Sequence, residues 1–426
     1  MDFKKNITKI FKNDFFILVL IYLAGLLLII LENNIIIPTS VLNIDEYLWI
    51  SRSYNYLDSI KNLDFAGGIQ SSHPGITIMT LSGISLWLAD YLNGLHLCES
   101  CFINSSLAFN IPIVIIITLF FFSFYYLLRK LRFNKITAFF VMMICSMRIH
   151  YLLESTPTDK LVTVFILLSL SLLLIYANNK FKFKRYLCLS ATFAGLGILT
   201  KLSALILIPF SFLILIFFSP LNNQRYKGIL KDFAFYLGVV SMTITIIFPG
   251  IIIKPQETIA AMANVLSGIL ISGPAGGMEG LAIYSKKITF YLGSFGSGII
   301  PPITVGLILY FLIFMAGKFF YQGIKSNFSD ENLFRKNILI LFCFGFVYFF
   351  YIVVFAWLLF YRYLIPLFLI LDLVAAIALY QIMLRYRNRY QPKENIGATA
   401  IKIAVIFYFL QLAHLAFVKG YLIVWQ

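Results

Sequence analysis

Apolar runs of about 18 residues or more recur along this chain, and a helix of that length can cross a hydrocarbon core of about 30 Å. Hydrophobic residues make up 61% of the 426-residue sequence and charged residues only 12%. Because a soluble protein could not hide that much apolar surface, the chain is predicted to be an all-α polytopic membrane protein. About eleven transmembrane helices are predicted, near residues 15–31, 108–128, 136–153, 160–177, 187–200, 202–219, 233–253, 302–322, 338–358, 363–383 and 398–418.

The net charge of +16 comes mostly from short basic loops that alternate with loops poor in basic residues. The basic loops lie at 4–12, 129–135, 180–185, 225–231, 325–336 and 385–393. An excess of Lys and Arg in alternate loops is typical of the cytoplasmic side of a membrane protein. The pattern predicts an integral protein of the plasma (inner) membrane with a cytoplasmic N-terminus. It also explains the charge by topology and by contact with membrane lipids, so no nucleic-acid partner is expected.

Two long segments are predicted on the extracytoplasmic side, a first external loop at 32–107 and a later external loop at 254–301. Within the first loop, residues 46–63 have helical spacing and residues 76–92 are apolar. Residues 76–92 form either a twelfth span or a helix at the membrane interface. The interfacial helix is favoured, because a further span would invert every later loop. The whole chain, 1–426, is predicted to be one transmembrane domain with no soluble C-terminal domain.

Asp45 and Glu46 are adjacent acids just after the first predicted span, in a chain with few charges. They either cap the helix that follows, since Asp is a common N-cap residue, or they act on a substrate or a metal ion. A second acidic group, Glu154 and Asp159, lies between the third and fourth predicted spans on the same side. Carboxylates from two outer loops could together hold a hard divalent cation such as Mg or Mn, which prefers oxygen ligands.

Lys201 and Arg362 are predicted to be isolated basic residues in short outward turns, where removing either charge leaves no buried cavity. They either anchor the chain at the interface or recognise an anionic lipid head group, such as a phosphate that Arg can grip with two hydrogen bonds. His150 lies at the membrane edge near Glu154. Snorkelling and contact with a lipid phosphate are the alternatives for its side chain.

A series of landmarks occurs in a fixed order relative to the predicted spans. In chain order they are Asp45 to Arg52, Leu63 to Phe65, Ser72 to Gly75, Glu154 to Asp159, Gly197 to Lys201 and Tyr361 to Pro366. By this order the chain resembles, over about residues 15–370, the C-type membrane glycosyltransferases that use polyprenyl-phosphate sugars. These enzymes include the protein O-mannosyltransferases and the aminoarabinose transferase of lipid A, and the resemblance is to the glycosyltransferase family 39 type.

The resemblance implies an inverting transfer of a sugar from a polyprenyl-phosphate donor to an extracytoplasmic acceptor, which is a lipid, a glycan or a protein. It implies that Asp45 is the general base, with Glu46 beside it in the catalytic group. It further implies that Glu46, Glu154 and Asp159 orient the substrates or help to bind a metal ion, with Glu154 and Asp159 acting together with Asp45. The residues expected to bind substrate are Arg52, His73, His150, Lys201 and Arg362.

A transporter or flippase of lipid-linked saccharides is the alternative function. Such proteins usually carry charges inside their spans and are built from repeated halves with broken helices. Asp372 is the clearest charge in the middle of a predicted span, and most other acids gather on one side. A purely structural membrane protein is a third, weaker option, because it would not need clustered external acids.

Overall fold

A computed structural model describes residues 44–69, 75–93, 102–131, 133, 138, 157–218, 225–261, 263, 288–289, 330–355, 364–371 and 373–374. Within these ranges every regular element is a helix, which confirms the all-α class there. The α-helices used below are α1 (Ile44–Lys61), α2 (Ile76–Asn93), α3 (Phe102–Lys130), α4 (Pro157–Asn178), α5 (Lys184–Thr200), α6 (Leu207–Phe218), α7 (Arg225–Ile247), α8 (Gly250–Ile253) and α9 (Asp330–Phe355). A 3₁₀ helix, Leu202–Ile206, joins α5 to α6.

Three described helices are long and apolar enough to cross a membrane. They are Ala108–Lys130 within α3, Pro157–Asn178, and Tyr226–Ile247 within α7. They correspond to the predicted spans at 108–128, 160–177 and 233–253. The helices α2 and α6 and the apolar part of α9 are shorter. The predicted spans at 15–31, 302–322 and 398–418 lie outside the described residues, as does most of 136–153.

Helix α4 is the centre of the described bundle, because it is buried from Pro157 to Ala177. Helices in lipid associate through close packing of small residues and through hydrogen bonds between polar side chains. Here the Ser169 hydroxyl donates to the carbonyl of Ser190 on α5 at 2.8 Å, and the Ser190 hydroxyl donates back to the Ser169 carbonyl at 2.7 Å. Gly195 then lets α5 approach α7 closely, since a Cβ atom there would lie 2.9 Å from that of Thr243.

Helix α7 begins earlier and ends earlier than the predicted span at 233–253. It starts at Arg225, because the exposed side chains of Lys227 and Lys231 allow the helix to continue beyond its apolar part. It ends at Ile247, just before Phe248 and Pro249. Proline has no backbone N–H and disfavours helix in the residue before it. The single turn of α8 follows the break.

The described basic loops gather at one end of the bundle, called here the basic end. The Tyr176 hydroxyl, near the end of α4, donates to the Asp232 carboxylate of α7 at 2.6 Å, and Lys184 at the start of α5 forms an ion pair with the same carboxylate. The Asn178 amide donates to Asn337 of α9 at 3.1 Å. Since α3 also ends here, beside Asn337, four basic segments share this end. The geometry supports the alternation of basic and non-basic loops predicted from the sequence.

Candidate active site

The opposite end of the bundle is built around a break in helical structure at Lys201. Helix α5 ends at Thr200, Lys201 has extended backbone (φ −159°, ψ 136°), and the 3₁₀ helix begins at the next residue. The break is held on both sides, because the Lys201 N–H donates to the Gly197 carbonyl at 2.8 Å and the Ala204 N–H donates to the Lys201 carbonyl at 3.1 Å. The short turn predicted between the fifth and sixth spans is therefore present at this position.

Lys201 is buried and forms an ion pair with Asp159, 42 residues earlier in the chain. Only 4% of Lys201 and 2% of Asp159 is exposed. Asp159 lies in the first turn of α4, where the helix dipole favours a negative charge. The prediction that Lys201 is isolated is wrong, because the packing of α4 against α5 buries both charges together. The expectation that its removal would disturb nothing buried is wrong for the same reason.

The first external loop docks directly beside this pair. The Gly75 N–H donates to the Thr200 carbonyl at 3.2 Å, and the Thr77 hydroxyl donates to the Leu196 carbonyl at 3.0 Å. Gly75 has φ +58°, and a Cβ atom at this position would overlap the ring of Trp49. Glycine is therefore required for both backbone conformation and close packing. The contact brings α1 against the turn that precedes Lys201.

Two further contacts bring other segments to the same end, called here the Lys201 end. Phe65, in the loop after α1, packs edge-on against Phe248 at 6.4 Å between ring centroids. A Cβ atom on Gly250 would lie 2.5 Å from that of Phe65, so this loop sits tightly on the end of α7. The Tyr351 hydroxyl of α9 donates to the Leu202 carbonyl at 2.9 Å. The Lys201 end thus combines the first external loop with the ends of α4, α5, α7 and α9.

The paired acids predicted to be catalytic lie in α1. Asp45 and Glu46 are in its first turn, so their backbone is helical, and the side chains of these two residues lie outside the described part of the structure. Asp45 precedes Trp49 by four residues, which is about one helical turn. Because Trp49 packs on Gly75, the start of α1 is tied to the Lys201 end.

Of the other residues predicted to bind substrate, the structure describes Arg52 and not His73, His150 or Arg362. Arg52 lies on α1, with its guanidinium 4.9 Å from the centre of the Trp49 ring. His73, His150 and Arg362 lie outside the described residues. Their roles, and those of Asp45 and Glu46, stay predictions.

The predicted divalent-cation site depends on residues that the structure describes incompletely. Glu154 lies outside the described residues, and the same holds for the Asp45 side chain. Among the described side chains, no group of three His, Cys, Asp or Glu is placed to hold a metal ion. The Asp159 carboxylate contacts the Lys201 ammonium, so a cation there would have to share it with that positive charge. The geometry of Asp159 suits an ion pair better than metal ligation.

Two residues of this end were not singled out in the sequence. Thr77 is one of several hydroxyl residues in an apolar helix, so the sequence does not single it out, although it follows the Ser72-to-Gly75 landmark by two residues. Tyr351 lies in a run rich in Tyr and Phe, so nothing in the sequence separates it from its neighbours. Only the packing of α9 against the 3₁₀ helix reveals the hydrogen bond of Tyr351.

The comparison with known protein families bears on the same region. Residues 95–253 match the model of the dolichyl-phosphate-mannose-protein mannosyltransferase family. The chain resembles this family. The matched segment contains α3 to α8, and so it includes both Asp159 and Lys201. No curated protein matches the chain.

The match confirms the resemblance that was predicted from the order of the landmarks. It supports a membrane glycosyltransferase of the mannosyltransferase type, and the three apolar helices agree with an integral membrane protein. The segment ahead of residue 95, with Asp45 and Glu46, lies outside the match. The likeness to the mannosyltransferase family therefore rests on residues 95–253, a segment that includes Asp159 and Lys201.

Proposed function

We propose that this protein transfers a sugar from a polyprenyl phosphate to an acceptor on the extracytoplasmic side of the plasma membrane. The observation that carries the proposal is the docking of the first external loop on Thr200, directly beside the buried Asp159–Lys201 pair. This pair lies within the segment that matches the mannosyltransferase family. It also lies at the end opposite the basic loops, which the positive-inside pattern assigns to the cytoplasm.

The proposed mechanism begins at the acceptor. The Asp45 carboxylate takes the proton of an acceptor hydroxyl while the oxygen attacks the anomeric carbon of the donor. The bond between that carbon and the phosphate oxygen breaks, so the configuration inverts and polyprenyl phosphate leaves. General-base catalysis of this kind contributes about 10²–10⁴ in rate. Anchoring of Trp49 against Gly75 supports this role, because it fixes the helix that carries Asp45.

In the same displacement, negative charge develops on the leaving phosphate. Fixed cations near this charge lower the barrier, because they need not reorganise during the reaction. Asp159 holds Lys201 in one position, and Lys201 in turn contributes positive potential at the Lys201 end. Arg362 is the proposed direct phosphate ligand, because a guanidinium can donate two parallel hydrogen bonds to phosphate oxygens. Arg52 is a second candidate, since it lies on the same helix as Asp45.

Several parts of the proposal rest on predicted residues alone. His73 and His150 are proposed substrate contacts. Glu154 and Asp45 are the proposed ligands of a divalent cation, Mg or Mn, and no step above depends on that ion. The acceptor is proposed to be lipid-linked or small, because the two predicted external loops together present a small surface for recognition of a folded protein.

The experiment that tests this function is mass spectrometry of envelope glycans and lipids from cells with and without the protein. If the protein is a transferase, cells without it should lack one sugar on its acceptor, and the intact polyprenyl-phosphate sugar should accumulate on the outer leaflet. A flippase predicts accumulation on the inner leaflet instead. Unchanged glycans and unchanged carrier lipids would contradict both functions.

A further inference from the structure

Helix α7 carries an exposed stripe that changes from cationic to apolar along its length. The stripe repeats every three or four residues and contains Lys227, Lys231, Phe235, Gly238, Met242 and Ile246. Met242 and Ile246 are each 63% exposed. From Phe235 to Ile246 the helix rises about 17 Å, which is about half of a 30 Å hydrocarbon core. The apolar part therefore matches the depth of one leaflet.

The one acid beside the two lysines is neutralised inside the bundle. Asp232 has only 11% of its side chain exposed, because it accepts the Tyr176 hydroxyl at 2.6 Å and pairs with Lys184. Among the side chains of α7 that the structure describes, the exposed charges are consequently those of Lys227 and Lys231, which are separated by one turn on the same face.

The surroundings of the stripe resemble a membrane interface. Tyr226 is 63% exposed next to Lys227, and amphipathic aromatic rings are enriched at the level of lipid head groups. On neighbouring α5, the Arg185 guanidinium packs 5.3 Å from the centre of the Phe183 ring. Further along the stripe, a Cβ atom added to Gly238 would meet nothing within 4 Å. The missing side chain leaves a shallow recess between Phe235 and Met242.

We propose that α7 binds one anionic phospholipid of the leaflet at the basic end. The lipid phosphate contacts Lys227 and Lys231, and an acyl chain lies along Phe235 and Met242 over the recess at Gly238. Charge complementarity selects an anionic lipid over a zwitterionic one, because the neighbouring acid is already paired. The site is separate from the proposed reaction, which takes place at the Lys201 end.

The test uses the full-length protein in nanodiscs that contain equal amounts of phosphatidylglycerol and phosphatidylcholine. Native mass spectrometry then measures which lipid stays bound to the protein after the protein is released from the nanodisc. The test variant is Lys227→Gln with Lys231→Gln. The matched control is Lys61→Gln with Lys254→Gln, which removes two charges from exposed pairs, with Asp58 and Glu257, away from α7.

Wild type and the control are expected to retain phosphatidylglycerol in preference to phosphatidylcholine. The preference should fall about fivefold for each lysine removed from α7. Equal retention of both lipids by wild type, or an unchanged preference in the α7 variant, would overturn the proposal. The proposal would also be overturned if the control variant lost as much of its preference for phosphatidylglycerol as the α7 variant. Displacement of the lipid by inorganic phosphate alone, or a lipid-free dimer that covers this face of α7, would overturn it as well.

Discussion

Replacing Lys201 by methionine should destabilise the protein strongly, because it removes the ammonium that pairs with the buried Asp159 carboxylate. The side chains of Lys201 and Asp159 are 5% and 3% exposed, so water cannot replace the lost contact. Removing one member of a buried ion pair typically costs about 3–5 kcal/mol. Asp159→Asn should have a comparable effect, since it removes the negative charge that pairs with the buried ammonium.

The double variant separates the structural role of this pair from its proposed function. Asp159→Asn with Lys201→Met removes both charges, and such replacements of a whole buried pair are often close to neutral. The double variant should therefore recover most of the lost stability. It should still transfer sugar slowly, because the positive charge proposed to stabilise the leaving phosphate is gone. Recovery of activity together with stability would show that the pair is only structural.

The measurement is thermal unfolding of the detergent-solubilised protein, followed by the fraction that remains monodisperse. Apparent melting temperatures are compared at one heating rate, since unfolding of such proteins is commonly irreversible. Lys61→Met is the control, because it breaks an exposed pair of 3.3 Å with Asp58, and such pairs contribute less than about 1 kcal/mol. The reasoning fails if Lys201→Met melts like wild type, or if the double variant melts no higher than the single variants.

Two further predictions concern the docking of the first external loop and the orientation of the bundle. Gly75→Ala should lower the melting temperature, since a left-handed residue with a Cβ atom costs about 1–2 kcal/mol before its overlap with Trp49 is added. Gly228→Ala, in open space on α7, should not lower it. In intact cells, an impermeant thiol reagent should label a cysteine at Asp58 and not one at Lys227; the reverse pattern would contradict the proposed orientation.

Helix α1 was predicted closely from its spacing, but the spacing does not show which side of the helix is buried. The sequence indicated 46–63, and α1 is Ile44–Lys61. Helical spacing puts Tyr47 on one face with Ile50, yet Tyr47 is 41% exposed, Ile50 is buried, and Ser53 is fully buried. The reason is close packing with α2, where a Cβ atom on Gly83 would lie 3.1 Å from the Ser53 carbonyl oxygen. Small residues at that contact decide which side of α1 is buried.

At the candidate site, as in α1, the local sequence predicts the backbone structure but not the contacts between residues far apart in the chain. The extended break at Lys201 follows from two apolar runs with a single basic residue between them, so the sequence predicts it. The partner of Lys201 does not follow from any local pattern, because Asp159 is 42 residues away. Only the antiparallel packing of α4 and α5 brings these charges together. The sequence therefore indicated a functional role for both residues, but it assigned Asp159 to a metal site and Lys201 to recognition of a lipid phosphate.

The most direct test of the proposed activity is sugar transfer by the purified protein in proteoliposomes that contain a polyprenyl-phosphate sugar. Wild type and the control Asp58→Asn, which alters an exposed acid on the same helix, should convert the donor to polyprenyl phosphate and a glycosylated acceptor. Asp45→Asn should be slower by about 10²–10⁴, although its shape is almost unchanged. Near-normal turnover by Asp45→Asn would contradict its role as the base. If the donor stays intact after incubation with wild type in the presence of the envelope acceptor, the proposed transferase activity is contradicted.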